Sequence, residues 1–125
     1  MSQPARRLNG PIALLIIIGL GFALRLTLLD AMGAIVWAVG FFFEALGDFQ
    51  LARFKADPAN QGRVMDRGLW ALSRHPNYFG EFLIWWGFFL VALATPSGWW
   101  TMVCPVIVSL VLLKMTGVPL TEAAL

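Results

Sequence analysis

The sequence predicts an all-α, polytopic membrane bundle of about four transmembrane helices. Three observations carry that prediction. Apolar residues make up 59% of the 125 residues, charged residues only 13%, and mean hydropathy is +0.76. A soluble domain carries about 25% charged residues, and a chain this short leaves much of its surface exposed, so it has nowhere to hide this much apolar area. The apolar residues also fall into four long stretches, and the basic residues gather at three places between and beside them. Disulfide frameworks are excluded, because Cys104 is the only cysteine. His75 is the only histidine, and Glu44, Asp48, His75 and Glu81 carry no diagnostic metal spacing, so no metal is expected. A net charge of +2 gives no reason to expect nucleic acid.

The elements follow in order. Helices are expected over about 11–29, 31–52, 78–95 and 99–114, with a basic loop over 53–77. The first stretch is broken only by Arg25. Arg6 and Arg7 precede it, but no small-residue cleavage site follows, so it reads as a membrane helix rather than a signal peptide. Asp30 is nearly all that separates the first two stretches, which predicts a tight antiparallel hairpin there. Thr95-Pro96-Ser97-Gly98 reads as a short uncharged turn, flanked by Trp99 and Trp100 as interfacial anchors. Pro105 is expected to kink the last helix. Arg53, Lys55, Arg63, Arg67 and Arg74 lie in or beside the long connection, opposed by Asp57 and Asp66. With four spans, that loop, the N-terminus with Arg6 and Arg7, and the C-terminal end with Lys114 share one side. The positive-inside rule makes that side cytoplasmic, and a bacterial inner membrane is the expected location.

Two polar groups stand out inside this apolar frame. Glu44 and Asp48 are four apart on one face of the second helix, and Lys55 continues that face. An ionisable residue near a helix centre costs roughly 2.5–3.5 kcal/mol, so this face should meet other helices or a wet cavity. Alternatively, both carboxylates lie in the headgroup zone and touch water. The second group is Ser73-Arg74-His75-Pro76-Asn77-Tyr78-Phe79-Gly80-Glu81. Pro76 suits the first turn of a helix and places His75 near its N-cap. Unpaired backbone N–H groups there would receive an anion such as a phosphate. For His75 itself, a structural cap and a ligand contact are equally open. Asn77 and Glu81 are again four apart on one face. The basic residues of the loop are explained equally well by lipid headgroups, whereas Glu44, Asp48, Asn77 and Glu81 are not.

The run Gly68-Leu69-Trp70 through Glu81 resembles the steroid 5-alpha-reductase-like membrane proteins, and most of all their bacterial branch, the DUF1295 family. Phe43-Glu44-Ala45-Leu46-Gly47-Asp48-Phe49-Gln50-Leu51-Ala52-Arg53-Phe54-Lys55 is similar to the same family. So is Lys114-Met115-Thr116-Gly117-Val118-Pro119-Leu120, with Glu122 after it. The resemblance implies an NADPH-dependent reduction of a carbon–carbon double bond in a sterol-like or other lipid enone, with hydride added at the β-carbon and a proton at the α-carbon. It implies cofactor contacts from Asp48, Arg53 or Lys55, Trp70, Asn77 and Glu81, with His75 and Tyr78 belonging to the motif. Arg63 and Arg74 join them as further phosphate partners, and Glu44 falls at the pocket. The Arg-His-Pro-x-Tyr-x-Gly stretch also resembles isoprenylcysteine and phospholipid methyltransferases, which implies S-adenosylmethionine as the alternative cofactor. A non-catalytic, truncated membrane protein is the third reading. Members of the reductase-like family are usually considerably longer, with substrate-holding helices before this region and a tail after it. The resemblance therefore implies a truncated chain, whose partner would be the missing N-terminal half or a second copy. No catalytic proton donor is identified.

Overall fold

A computed structural model describes residues 10–115. Arg6, Arg7 and the stretch from Thr116 to Glu122 lie outside the described residues. All regular structure among the described residues is helical. Helix α1 runs from Gly10–Ala56, α2 from Pro76–Ala92 and α3 from Val103–Leu110. Short 3₁₀ turns at Pro58–Asn60 and Gly68–Ala71 organise the α1–α2 connection. A third 3₁₀ turn, Gly98–Met102, feeds α3, which loosens into a π-helical turn at Val111–Met115.

The first expected hairpin is absent. Residues 11–29 and 31–52 form parts of one 47-residue helix, about 70 Å long at 1.5 Å per residue. The reason lies in Leu28-Leu29-Asp30-Ala31-Met32. Leucine, alanine and methionine are strong helix formers, and neither glycine nor proline interrupts them. A helical hairpin needs a loop of about 2–5 residues, so a turn here would require residues beside Asp30 to leave the helix. The other boundaries move less. Proline at the first helical position starts α2 at Pro76, two residues before the expected start. Pro105, fully buried, sits where the 3₁₀ turn passes into α3. Its missing N–H therefore falls in a first turn, where little is lost.

α1 and α2 pack as an antiparallel pair along a seam of glycines. The buried residues of α1 are Gly33, Gly40 and Gly47, and those of α2 are Pro76, Gly80 and Gly87. A Cβ placed on Gly40 would sit 2.7 Å from the carbonyl oxygen of Gly80 and from the Ile84 nitrogen. One on Gly87 would sit 2.6 Å from the Trp37 nitrogen. The backbones therefore touch, as small residues allow in membrane helix pairs. Spacing by seven on both helices keeps the seam in register along the pair.

Large side chains are distributed inside out. Leu112 is buried at 9% exposure, while Leu15, Ile17 and Leu20 are 69%, 66% and 66% exposed. α1 is long and apolar enough to cross a membrane, and none of its most apolar window is buried. The turn after α2 closes through Thr95, whose hydroxyl donates to the Ala92 carbonyl at 2.7 Å, and through the Gly98 N–H to the Thr95 carbonyl at 3.1 Å.

Candidate functional site

The site forms where the last turns of α1, the 57–75 connection and the first turn of α2 meet. The connection is fastened at both ends. Near α1, the Asp57 carboxylate accepts the Ala59 N–H at 2.9 Å, and the Asn60 amide donates to the Phe54 carbonyl at 3.0 Å. Near α2, the Gln50 side-chain oxygen accepts the Leu69 N–H at 3.0 Å, and the Trp70 indole donates to the Gly47 carbonyl at 2.9 Å. Gly68 has φ +62, and the Gln50 amide occupies the place of its missing Cβ. No other residue satisfies both the positive φ and that contact.

α2 begins as its sequence dictates. His75 is the N-cap residue, Pro76 occupies the first turn, and the His75 side chain makes no cap hydrogen bond. The first backbone N–H groups of a helix carry partial positive charge. The His75 and Tyr78 rings stack with centroids 5.3 Å apart and planes 11° apart. Asn77 donates through its side-chain nitrogen to the Asp48 carboxylate at 3.0 Å, which ties α2 to α1 across the Gly47 contact. The Asn77 side-chain oxygen is buried without a hydrogen-bond partner.

A cavity of about 1150 Å³ lies between these parts. Lys55, Arg63 and Arg74 line it, and Asp57 is the one carboxylate in its wall. Trp70, His75, Asn77 and Tyr78 complete its polar and aromatic side, with Leu51 and Phe54 on the apolar side. Seven residues singled out in the sequence thus share one cavity wall. Asp48 reaches it only through Asn77. Glu44 and Glu81 lie deeper along the helix pair: the Glu44 backbone abuts Gly80, and its carboxyl is within electrostatic reach of Glu81 and Asp48. Arg53 does not line the cavity. Its guanidinium sits 5.7 Å above the Phe49 ring, on another side of α1.

Sequence reasoning missed Gln50 and Gly68, which fasten the connection, and the glycine seam that brings Asn77 to Gly47. The seam had a signal: Gly33, Gly40 and Gly47 recur every seven residues, as do Gly80 and Gly87. Gln50 had a weaker one, an amide placed beside Asp48 in an otherwise apolar helix.

Two comparisons with known proteins bear on this site. A stretch of 55 residues is 42% identical to the probable O-methyltransferase ustE of Ustilaginoidea virens, covering 44% of this chain and 19% of that protein. The match thus spans less than a fifth of that relative's length. No solved structure matches the chain. The sequence profile of the family described as "Protein of unknown function (DUF1295)" matches residues 11–125. That match covers the described helices and every lining residue of the cavity, and the chain belongs to the DUF1295 family.

Proposed function

We propose that the cavity binds NADPH and that the chain is the cofactor-holding part of a membrane reductase acting on a double bond of a lipid enone. The observation that carries this reading is the charge of the wall: Lys55, Arg63 and Arg74 against Asp57 alone. Phosphates are the ligand groups that such a set receives best, with arginine suited to bidentate contact. The unpartnered Asn77 oxygen supports it, because a buried acceptor left empty is costly and a carboxamide or ribose hydroxyl would satisfy it. The volume, somewhat above the usual range of ligand cavities, accommodates a dinucleotide. In this reading Lys55, Arg63 and Arg74 hold phosphates, Asn77 orients a polar ring substituent, and Asp48 fixes the Asn77 rotamer. Trp70 walls the pocket against water. The bound dinucleotide supplies the hydride.

A second reading rests on the similarity to the probable O-methyltransferase, which favours S-adenosylmethionine as the cofactor. It has no phosphates, so the basic wall distinguishes the two. The test is a titration of the purified chain in mild detergent with NADPH, NADH and S-adenosylmethionine. Saturable NADPH binding that falls more than about tenfold in Asn77→Ala supports the reductase reading, a tenfold change being about 1.4 kcal/mol. S-adenosylmethionine binding that ignores Lys55→Gln and Arg63→Gln would replace it with the methyltransferase reading. We further infer that the helices lie in a bilayer in several passes, with the 57–75 connection on the cytoplasmic side of a bacterial inner membrane. A lipid-like substrate would approach from the membrane, and its remaining contacts would come from a second copy or another segment.

A further inference from the structure

We propose that the junction of α1 with the connection carries a second ligand site, for the headgroup of an anionic phospholipid, set back to back with the cavity. The structure divides the basic residues of this region into two sets. Lys55, Arg63 and Arg74 line the cavity, whereas Arg53 and Arg67 line a separate groove of about 370 Å³. Phe54, Asp57, Asn60 and Met65 contribute to both, so they form the partition between them.

The division follows from helix geometry. Arg53 and Lys55 are two residues apart, which turns their side chains about 200° from one another around α1. Phe49 lies one turn before Arg53, is 56% exposed, and carries the Arg53 guanidinium 5.7 Å above its ring. An apolar ring at the end of a membrane-length helix, with a guanidinium folded over it, suits the boundary between acyl chains and phosphates. Arg67 has a 70% exposed side chain, and its contact with Asp66 at 3.9 Å is between two solvated groups. Such a pair holds the arginine weakly, so it is available to a phosphodiester. Asp57, the carboxylate in the groove, is engaged in capping the Ala59 N–H. Free phosphate would satisfy the two guanidiniums but gives no role to Phe49 and Met65, which line the same groove. A lipid gives both of them one, with basic groups at phosphate depth and apolar groups just below.

The site does not depend on what the cavity holds. The test is native mass spectrometry of the full chain released from mixed micelles of phosphatidylglycerol and phosphatidylcholine. The expected result is preferential retention of phosphatidylglycerol that falls about fivefold for each arginine removed, in Arg67→Gln and then in Arg53→Gln/Arg67→Gln. Lys55→Gln/Arg63→Gln should keep the preference, and Arg67→Gln should bind NADPH as the unaltered chain does. Excess inorganic phosphate should not displace the lipid. A preference unchanged in Arg67→Gln and in the double variant would overturn the proposal. So would an equal loss in Lys55→Gln/Arg63→Gln, which would mean attraction by overall charge, or displacement by phosphate, which would mean an anion site without a lipid. Arg67 lies in the exposed connection, so its single variant reads the site even if the double variant does not fold.

Discussion

Trp70 shows how one residue joins the fold to the site. Its ring lines the cavity, and its indole N–H reaches the Gly47 carbonyl at 2.9 Å. Trp70→Phe keeps an aromatic wall and removes one hydrogen bond, so it should lower stability by about 1 kcal/mol and weaken NADPH only a few-fold. Trp70→Ala opens the wall as well and should lose considerably more of both. Thermal unfolding in detergent, paired with a cofactor titration, separates the two effects. If Trp70→Phe were as damaging to binding as Trp70→Ala, the hydrogen bond and not the wall would be the residue's contribution. Attention to Trp70 came from the resemblance of its flanking motif. Its partner was not legible, because Gly47 is 23 residues away and nothing in local periodicity joins them. The same holds for Asn77 and Asp48, each marked as polar on an apolar face, yet paired across 29 residues. The separate placement of Arg53 and Lys55 was readable in advance: a two-residue offset puts them on different sides of one helix.

At the scale of elements, the α1–α2 pair depends on what the seam lacks. Gly40→Ala would place a methyl 2.7 Å from backbone atoms of α2 that have no side-chain freedom to yield. Overpacking of this kind costs about 1–3 kcal/mol. Gly21→Ala, also within α1, meets nothing within 4 Å and replaces a poor helix former with the best one. Gly40→Ala should therefore lower the melting temperature, and Gly21→Ala should leave it unchanged or raise it. Equal effects would show that glycine matters here for helix propensity and not for approach. The site follows the seam: with the helices pushed apart, the Asp48–Asn77 hydrogen bond at 3.0 Å should be lost, and cofactor affinity with it. Composition alone made the helices legible, since apolar stretches of this length have few other uses. The pairing was also written in the glycine spacing. At Asp30 the local sequence does not decide direction: the flanking leucine, alanine and methionine favour a continuous helix, and the gain from turning back depends on the solvent around the apolar segment.

The whole molecule poses a question of length. α1 is about 70 Å long, more than twice the hydrocarbon core of about 30 Å. Its glycine contacts to α2 begin at Gly33. Before them, large side chains from Ile12 to Leu24 are 47% to 69% exposed, and the glycines among them meet nothing within 4 Å among the described residues. If the paired part of α1 crosses a bilayer, a straight continuation carries this apolar segment out into water on the far side. Water makes that arrangement unfavourable in proportion to the apolar area exposed. A bend near Asp30 would return the segment to the bilayer as a further pass. One feature eases a bend there: the Thr27 hydroxyl already donates to the Ala23 carbonyl at 3.0 Å, a bond that commonly bends helices. Spin labels at Leu14→Cys and Ala52→Cys, with the exposed Cys104 replaced, would measure the result. A straight α1 places them roughly 57 Å apart. A folded-back segment in antiparallel contact brings them below about 25 Å. The short distance is expected in lipid bilayers. A long distance persisting there would mean that α1 stays straight and that a second copy, not the bilayer, covers its first half.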